Sequence, residues 1–182
     1  MLHRLEACPA HELLAQELAE NPQILRDLRE SVERGDWPPS YTEHPVVRSA
    51  PAGTVLPLAV YLDGVPFSKS DGFLAFWVYN LLTMRRHLVA VLRKSFACTC
   101  GCKRWCSLHP IFSFLHWTLA ALAHGAFPQT RHDGGAWRRE DAHRAAAAGA
   151  PLPKAAAVAL KGDWAEFALA LGFPTWSHAA HP

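Results

Sequence analysis

From His11 to Arg34 apolar residues recur at three- and four-residue spacings amid charge, which predicts two short amphipathic helices. Asn21-Pro22 offers an N-cap and first residue for the second, and Gly35 ends it. The pattern then lapses. Asp36 to Gly53 (DWPPSYTEHPVVRSAPAG) is dense in proline and serine, and predicts a linker without regular hydrogen bonding. Val55 to Phe67 (VLPLAVYLDGVPF), Phe73 to Leu82 and His87 to Lys94 combine β-branched and aromatic residues with short turns, predicting an antiparallel meander of three strands. Ile111, Phe112, Leu115, Leu119 and Leu122 return to helical spacing, with Pro110 placed in the first turn and Gly125 at the C-cap. A short alanine-rich helix is expected near Arg139 to Ala148, a buried strand at Ala155 to Leu160, and a last helix from Trp164 to Leu171 closed by Gly172. The predicted order is β-β-β-α-β-α, an α+β class. It divides into a helical leader (1–35), a Pro-rich linker (36–53) and a body (54–182).

Composition narrows this little. Half of the 182 residues are apolar, enough for one core, and a net charge of +2 leaves any nucleic-acid contact to local patches. The N-terminus (MLHRLEACPAHELL) lacks the apolar run and cleavage site of a secretory signal, so an intracellular protein, nuclear or cytoplasmic, is expected. Cys106 to Thr130 carries little charge, but its helical part reads as shorter than the roughly 20 apolar residues of a membrane span. A buried helix and no membrane contact are the expectation.

The densest chemistry lies in Cys98-Thr-Cys100-Gly-Cys102-Lys-Arg-Trp-Cys106-Ser-Leu-His109, within a loop spanning 97–109. Thiolate and imidazole are the ligands Zn²⁺ prefers, and spacings of one to three residues bring them together. Five candidates compete for four places, so a Cys₃His and a Cys₄ structural zinc site both stand. Free thiols are the plainer alternative, since a reducing compartment disfavours bridges. Cys8, far away in the leader, reads as a bystander.

Two further segments bear on function. Tyr61-Leu62-Asp63-Gly64-Val65-Pro66-Phe67 resembles the first strand of the ribonuclease H-like fold, and Gly162-Asp163-Trp164-Ala165-Glu166-Phe167-Ala168-Leu169-Ala170-Leu171-Gly172-Phe173 is similar to the second-aspartate segment of DDE transposases in large eukaryotic DNA transposons. With the Cys-rich loop, they also resemble uncharacterised transposon-derived families of algal protists. The resemblance covers about Leu56 to Pro182 and implies a ribonuclease H-like core, incomplete after the second aspartate, with the Cys-rich loop as a zinc-binding insertion. It further implies that Asp63 and Asp163 are catalytic ligands of Mg²⁺ or Mn²⁺, and that DNA is the partner. Two such ions about 4 Å apart activate the nucleophile and stabilise the leaving oxygen. The family's third acid comes from a helix farther downstream, so inactivity as this chain is expected, along with a missing segment or partner chain over the sheet edge. Glu166, three residues beyond Asp163, can contribute or can merely cap or solvate its helix.

Plainer roles exist for each residue. Asp63-Gly64 between apolar runs also suits a type I′ hairpin turn, and Asp163 a simple N-cap. Arg85-Arg86, Arg93-Lys94 and Lys103-Arg104 flank the cysteine loop, either gripping phosphates or keeping strand ends soluble. Trp77, Trp105, Trp117, Trp137, Trp164 and Trp176 read chiefly as core or loop anchors, His116 and His124 as helix-face residues, and His132-Asp133-Gly134-Gly135 as a turn. No GxGxxG, GxxxxGK[ST], HExxH or GxSxG pattern is present, which removes support from nucleotide-dependent and serine-hydrolase chemistry. The alternative to a transposase-derived fragment is a small zinc-binding interaction module that never had catalytic carboxylates.

Overall fold

A computed structural model describes residues 7–173, with the side chains of Trp164 and Leu169 outside the description. Trp176 likewise lies outside the described residues. Four strands, β1 (Val55–Pro66), β2 (Gly72–Asn80), β3 (Arg86–Arg93) and β4 (Lys154–Gly162), form one mixed sheet in the order β3-β2-β1-β4. β1 pairs antiparallel with β2, and β2 with β3, whereas β4 runs parallel to β1. The molecule is thus α+β. Its parallel pair needs a long crossover, and the segment from the cysteine loop through the central helix supplies it.

Side chains alternate across a strand, and large apolar side chains at even positions of β1 and β2 share one face. Leu56, Leu58, Leu62, Leu74, Phe76 and Val78 are each at most 2 % exposed, so this face is the core face. Two helices cover it. In α5 (Trp105–His124) the buried residues Leu108, Ile111, Leu115, Thr118 and Leu122 fall on one stripe, and Gly125, at φ +80°, ends the helix in the left-handed conformation. In α1 (Ala10–Glu20) the stripe is Ala10, Leu14 and Leu18. Ile24 and Leu28 of α2 (Ile24–Glu33) join the same cluster. Each fully buried leucine contributes about 1.5–3 kcal/mol.

The leader is joined to the body by polar contacts as well. The His11 backbone N–H and ring Nδ1 both meet Thr118 Oγ1 of α5, at 3.1 and 2.7 Å. Buried Glu17 accepts from Asn80 Nδ2 and Thr83 Oγ1 and pairs with His87 Nε2 at 2.6 Å, tying α1 to the β2–β3 hairpin. Ala7 forms a bridge with Ala90 and so lies on the outer edge of β3.

Several boundaries depart from the sequence reading. Residues 36–53 hold two single-turn helices, α3 (Pro39–Thr42) and α4 (Pro45–Arg48), each opened by proline, whose fixed φ suits a first turn. Tyr41 of α3 is buried and donates to the Val55 carbonyl at 2.7 Å. Asn21 ends α1 and accepts from the Gln23 N–H, so α2 begins at Ile24 and not at Pro22. Pro110 sits inside α5, which starts five residues earlier and runs for 20 residues. By length and composition alone α5 is sufficient to cross a membrane, contrary to expectation, although one face of it is packed on the sheet. The alanine-rich segment forms a 3₁₀ turn at Arg139–Asp141 followed by α6 (Ala142–Ala147). The final helix, α7 (Trp164–Leu171), has the expected bounds, and its Ala170 reaches the core.

Candidate metal centre and the neighbouring carboxylates

After β3 the chain makes a 3₁₀ turn (Lys94–Phe96) and enters the cysteine loop. Gly101, Lys103 and Arg104 all adopt positive φ, at 87°, 51° and 66°. For the two non-glycine residues that conformation costs about 1–2 kcal/mol each, and it turns the chain sharply enough to fold the loop back on itself. Helix α5 then opens at Trp105, which puts Cys106 in its first turn. Cys98 and Cys100 therefore come from the strand side, Cys102 from the turn and Cys106 from the helix.

Their four sulfurs lie within 4.8 Å of one another, a group able to hold a metal ion. Measured separations are 3.8 Å for Cys98–Cys100, 3.7 Å for Cys100–Cys106, 3.5 Å for Cys102–Cys106 and 3.0 Å for Cys98–Cys102. A tetrahedral zinc with Zn–S near 2.3 Å has sulfur–sulfur edges of about 3.8 Å. Of these four edges out of six, two match that figure closely and two are shorter, and the other two lie within 4.8 Å. The Cys106 N–H donates to Cys102 Sγ at 3.3 Å, and the Cys98 N–H to Ser107 Oγ at 2.9 Å, fixing both ends of the loop. The Cys106 amide lowers the Cys102 thiol below its ordinary range, whereas Cys106 is pushed up to about 12, mainly by its hydrogen bond to Cys102 and then by Cys100 and Cys98. Crowded sulfurs resist full ionisation unless a cation shares their charge.

His109 is not part of that group; its ring packs edge-on against Trp105, with centroids 5.5 Å apart. Cys8 is also elsewhere, its N–H bonded to the Val89 carbonyl.

Asp63 and Gly64 lie within β1, paired with Ala75 and Leu74, so they form no hairpin turn; the turn falls at Ser68 to Asp71. Leu62 pairs with Gly162 at the end of the parallel register, on strands that lie about 5 Å apart in any sheet, so Asp63 within β1 and Asp163 just past the end of β4 each follow one member of that pair. Asp63 is on the face opposite Leu62, where its Oδ2 accepts from Tyr61 Oη at 2.8 Å. That hydrogen bond raises the Tyr61 phenol, with burial and the charges of Asp63 and Asp163 adding to the effect. Asp163 Oδ1 accepts from the Glu166 N–H at 2.7 Å, an N-cap for α7. Glu166 neither caps nor solvates the helix. It is 6 % exposed, takes Lys94 Nζ on Oε1 at 2.6 Å, and keeps Oε2 buried without a partner. It lies against Gly64, where a Cβ would come within 1.9 Å of Oε1.

The basic flank is largely paired: Arg85 with Glu20, Arg93 with Asp71 and Lys94 with Glu166. Arg86 lies over the Tyr61 and Tyr79 rings, and Lys161 over Tyr79. Asp133 pairs with Arg131 and accepts from the Gly135 N–H, as a turn does, while His116 and His124 are exposed on α5. Trp77 packs on Tyr61 and Trp117 on His11, whereas Trp105 is 51 % exposed. Sequence reasoning missed the Glu17–His87 pair and the Lys94–Glu166 contact, because both join residues more than 60 positions apart. No family model, curated protein or solved structure matches this chain.

Proposed function

We propose that this chain is a ribonuclease H-like domain of transposase descent that binds DNA, with Asp63 and Asp163 as a divalent-cation site and no strand-transfer activity. The observation that carries this reading is the sheet order β3-β2-β1-β4, in which Asp63 and Asp163 each follow a member of the parallel pair Leu62 and Gly162. A carboxylate on β1 and another just past the end of β4 offer the oxygen-only donor set that suits Mg²⁺ or Mn²⁺. When bound, such ions supply an activated water and charge neutralisation at phosphate. This chain's residues orient the donors: Tyr61 holds Asp63 through its hydroxyl, and the start of α7 holds Asp163 through the Glu166 N–H. Glu166 is a poor third acid, since one oxygen is taken by Lys94. Cys98, Cys100, Cys102 and Cys106 bind a structural zinc in this reading, bracing the junction of β3 and α5.

The test is Mn²⁺ binding to the purified protein, followed by electron paramagnetic resonance. Binding lost in both Asp63→Asn and Asp163→Asn, with no Mn²⁺-dependent nicking of plasmid DNA by the unaltered chain, is the expected result. Mn²⁺ affinity indifferent to both substitutions would refute the carboxylate site. The second reading, a zinc interaction module, is favoured by the surface position of the sulfur cluster beside exposed Trp105, and it would be left standing by that outcome.

A further inference from the structure

Between the β1–β2 turn and the cysteine loop lies a cleft of about 480 Å³, lined by Ser68, Lys69, Ser70, Asp71, Lys94 and Arg104 among others. Its charges do not cancel. Asp71 is taken by Ser95, by Arg93 at 2.6 Å and by the Gly72 N–H, which together hold its carboxyl far below the usual carboxylate range. Lys94 is taken by Glu166. Lys69 and Arg104 remain, one on each wall, without a carboxylate partner among the described residues. Serine hydroxyls accompany them: Ser68 Oγ accepts from the N–H groups of Ser70 and Asp71 and keeps an O–H of its own to donate.

Two features connect the cleft to the rest of the molecule. Arg104 owes its position to the left-handed turn at Lys103 and Arg104, which the four cysteines enclose. Lys94 Nζ lies within 2.6 Å of where a Gly64 Cβ would stand, so the cleft floor borders the residue next to Asp63.

We propose that this cleft is a phosphodiester site: it seats the backbone of a DNA strand between Lys69 and Arg104, and its assembly depends on the folded four-cysteine loop. The inference rests on the DNA-binding reading above and adds to it the place, the cationic contacts and a dependence on metal. Two cations on opposite walls with serine hydroxyls between them suit a chain of monoanionic phosphates. Such contacts are blind to base sequence.

The experiment is fluorescence anisotropy of a labelled mixed-sequence 20-bp duplex across a salt series, using the full chain purified with zinc. Each phosphate contact contributes about 0.9 to the slope of log K against log salt, or about fivefold in affinity between 1 M and 0.15 M salt. Lys69→Gln and Arg104→Gln should each reduce the slope by about 0.9, and Cys100→Ser should reproduce the Arg104→Gln loss. Arg85→Gln, on the far hairpin, should leave the slope unchanged. Failure of the duplex to bind, equal losses at Arg85 and Arg104, or equal competition by inorganic phosphate at matched phosphate concentration would each overturn the proposal. Mn²⁺ binding measured on Lys69→Gln and Arg104→Gln separates the two ideas. If it persists while DNA affinity is unaltered by either substitution, the cleft fails and the carboxylate reading stands; DNA losses as expected without Mn²⁺ binding would support the cleft and remove the carboxylate site.

Discussion

Replacing Glu17 by alanine tests whether the leader is welded to the sheet. The Glu17 side chain is 3 % exposed and bonds to His87 Nε2 at 2.6 Å, Thr83 Oγ1 at 2.6 Å and Asn80 Nδ2 at 3.3 Å. Removing it strands three polar groups, two of them, His87 and Asn80, at most 6 % exposed. Breaking a buried pair in this one-sided way costs about 3–5 kcal/mol. Domains are stable by only about 5–15 kcal/mol, so the loss is a large share of the total. For a chain of this size it corresponds to a fall in Tm of roughly 6–20 °C. The assay is urea unfolding followed by circular dichroism, with Glu20→Ala as the comparison. Glu20 pairs with Arg85 where both side chains are nearly half exposed, and such a pair contributes about 1 kcal/mol or less. In a His87→Ala background Glu17→Ala should cost less, because one stranded partner is already gone. A loss below about 1 kcal/mol for Glu17→Ala, equal to that for Glu20→Ala, would refute the coupling of leader and hairpin.

Three other outcomes are expected. Elemental mass spectrometry should find one zinc per chain, and chelation should lower Tm and remove helical signal from the start of α5; unchanged stability on chelation would reduce the cluster to free thiols. Burial holds the His11 imidazole down to about 4, against 6.5 in the unfolded chain, so between those values the unfolded state binds the extra proton. Stability contributed by neutral His11 is therefore complete above pH 6.5 and declines as pH falls toward 4, by up to about 3 kcal/mol, and a His11→Gln variant whose stability tracks the parent over that range would contradict this. Gly162→Ala would set a Cβ 2.5 Å from the Leu62 carbonyl oxygen and 2.9 Å from the Phe167 ring. It should destabilise by about 1–3 kcal/mol and weaken Mn²⁺ binding through Asp163, whereas destabilisation with unaltered Mn²⁺ affinity would detach Asp163 from the site.

Sequence by itself determined the four strands and the longer helices in their order, because alternation and helical spacing are local, but not the two single-turn helices of residues 36–53. Gly125 and Gly172 end helices where their freedom at positive φ is needed. It also singled out the four cysteines, since ligands a few residues apart cannot stray far. Tertiary structure decided which of five candidates come together, because seating Cys106 in the first turn of α5 brings its sulfur to the others, while His109 packs against Trp105 instead. It decided that Asp63-Gly64 lies in a strand, since only pairing with Leu74 and Ala75 distinguishes that from a turn. From sequence Glu166 can contribute to the carboxylate site, cap or be solvated, yet its burial depends on Gly64 and Lys94, which are distant in sequence. The same holds for Glu17 and His87. Burial and ion pairing between remote segments are properties of the assembled core, and no local pattern encodes them.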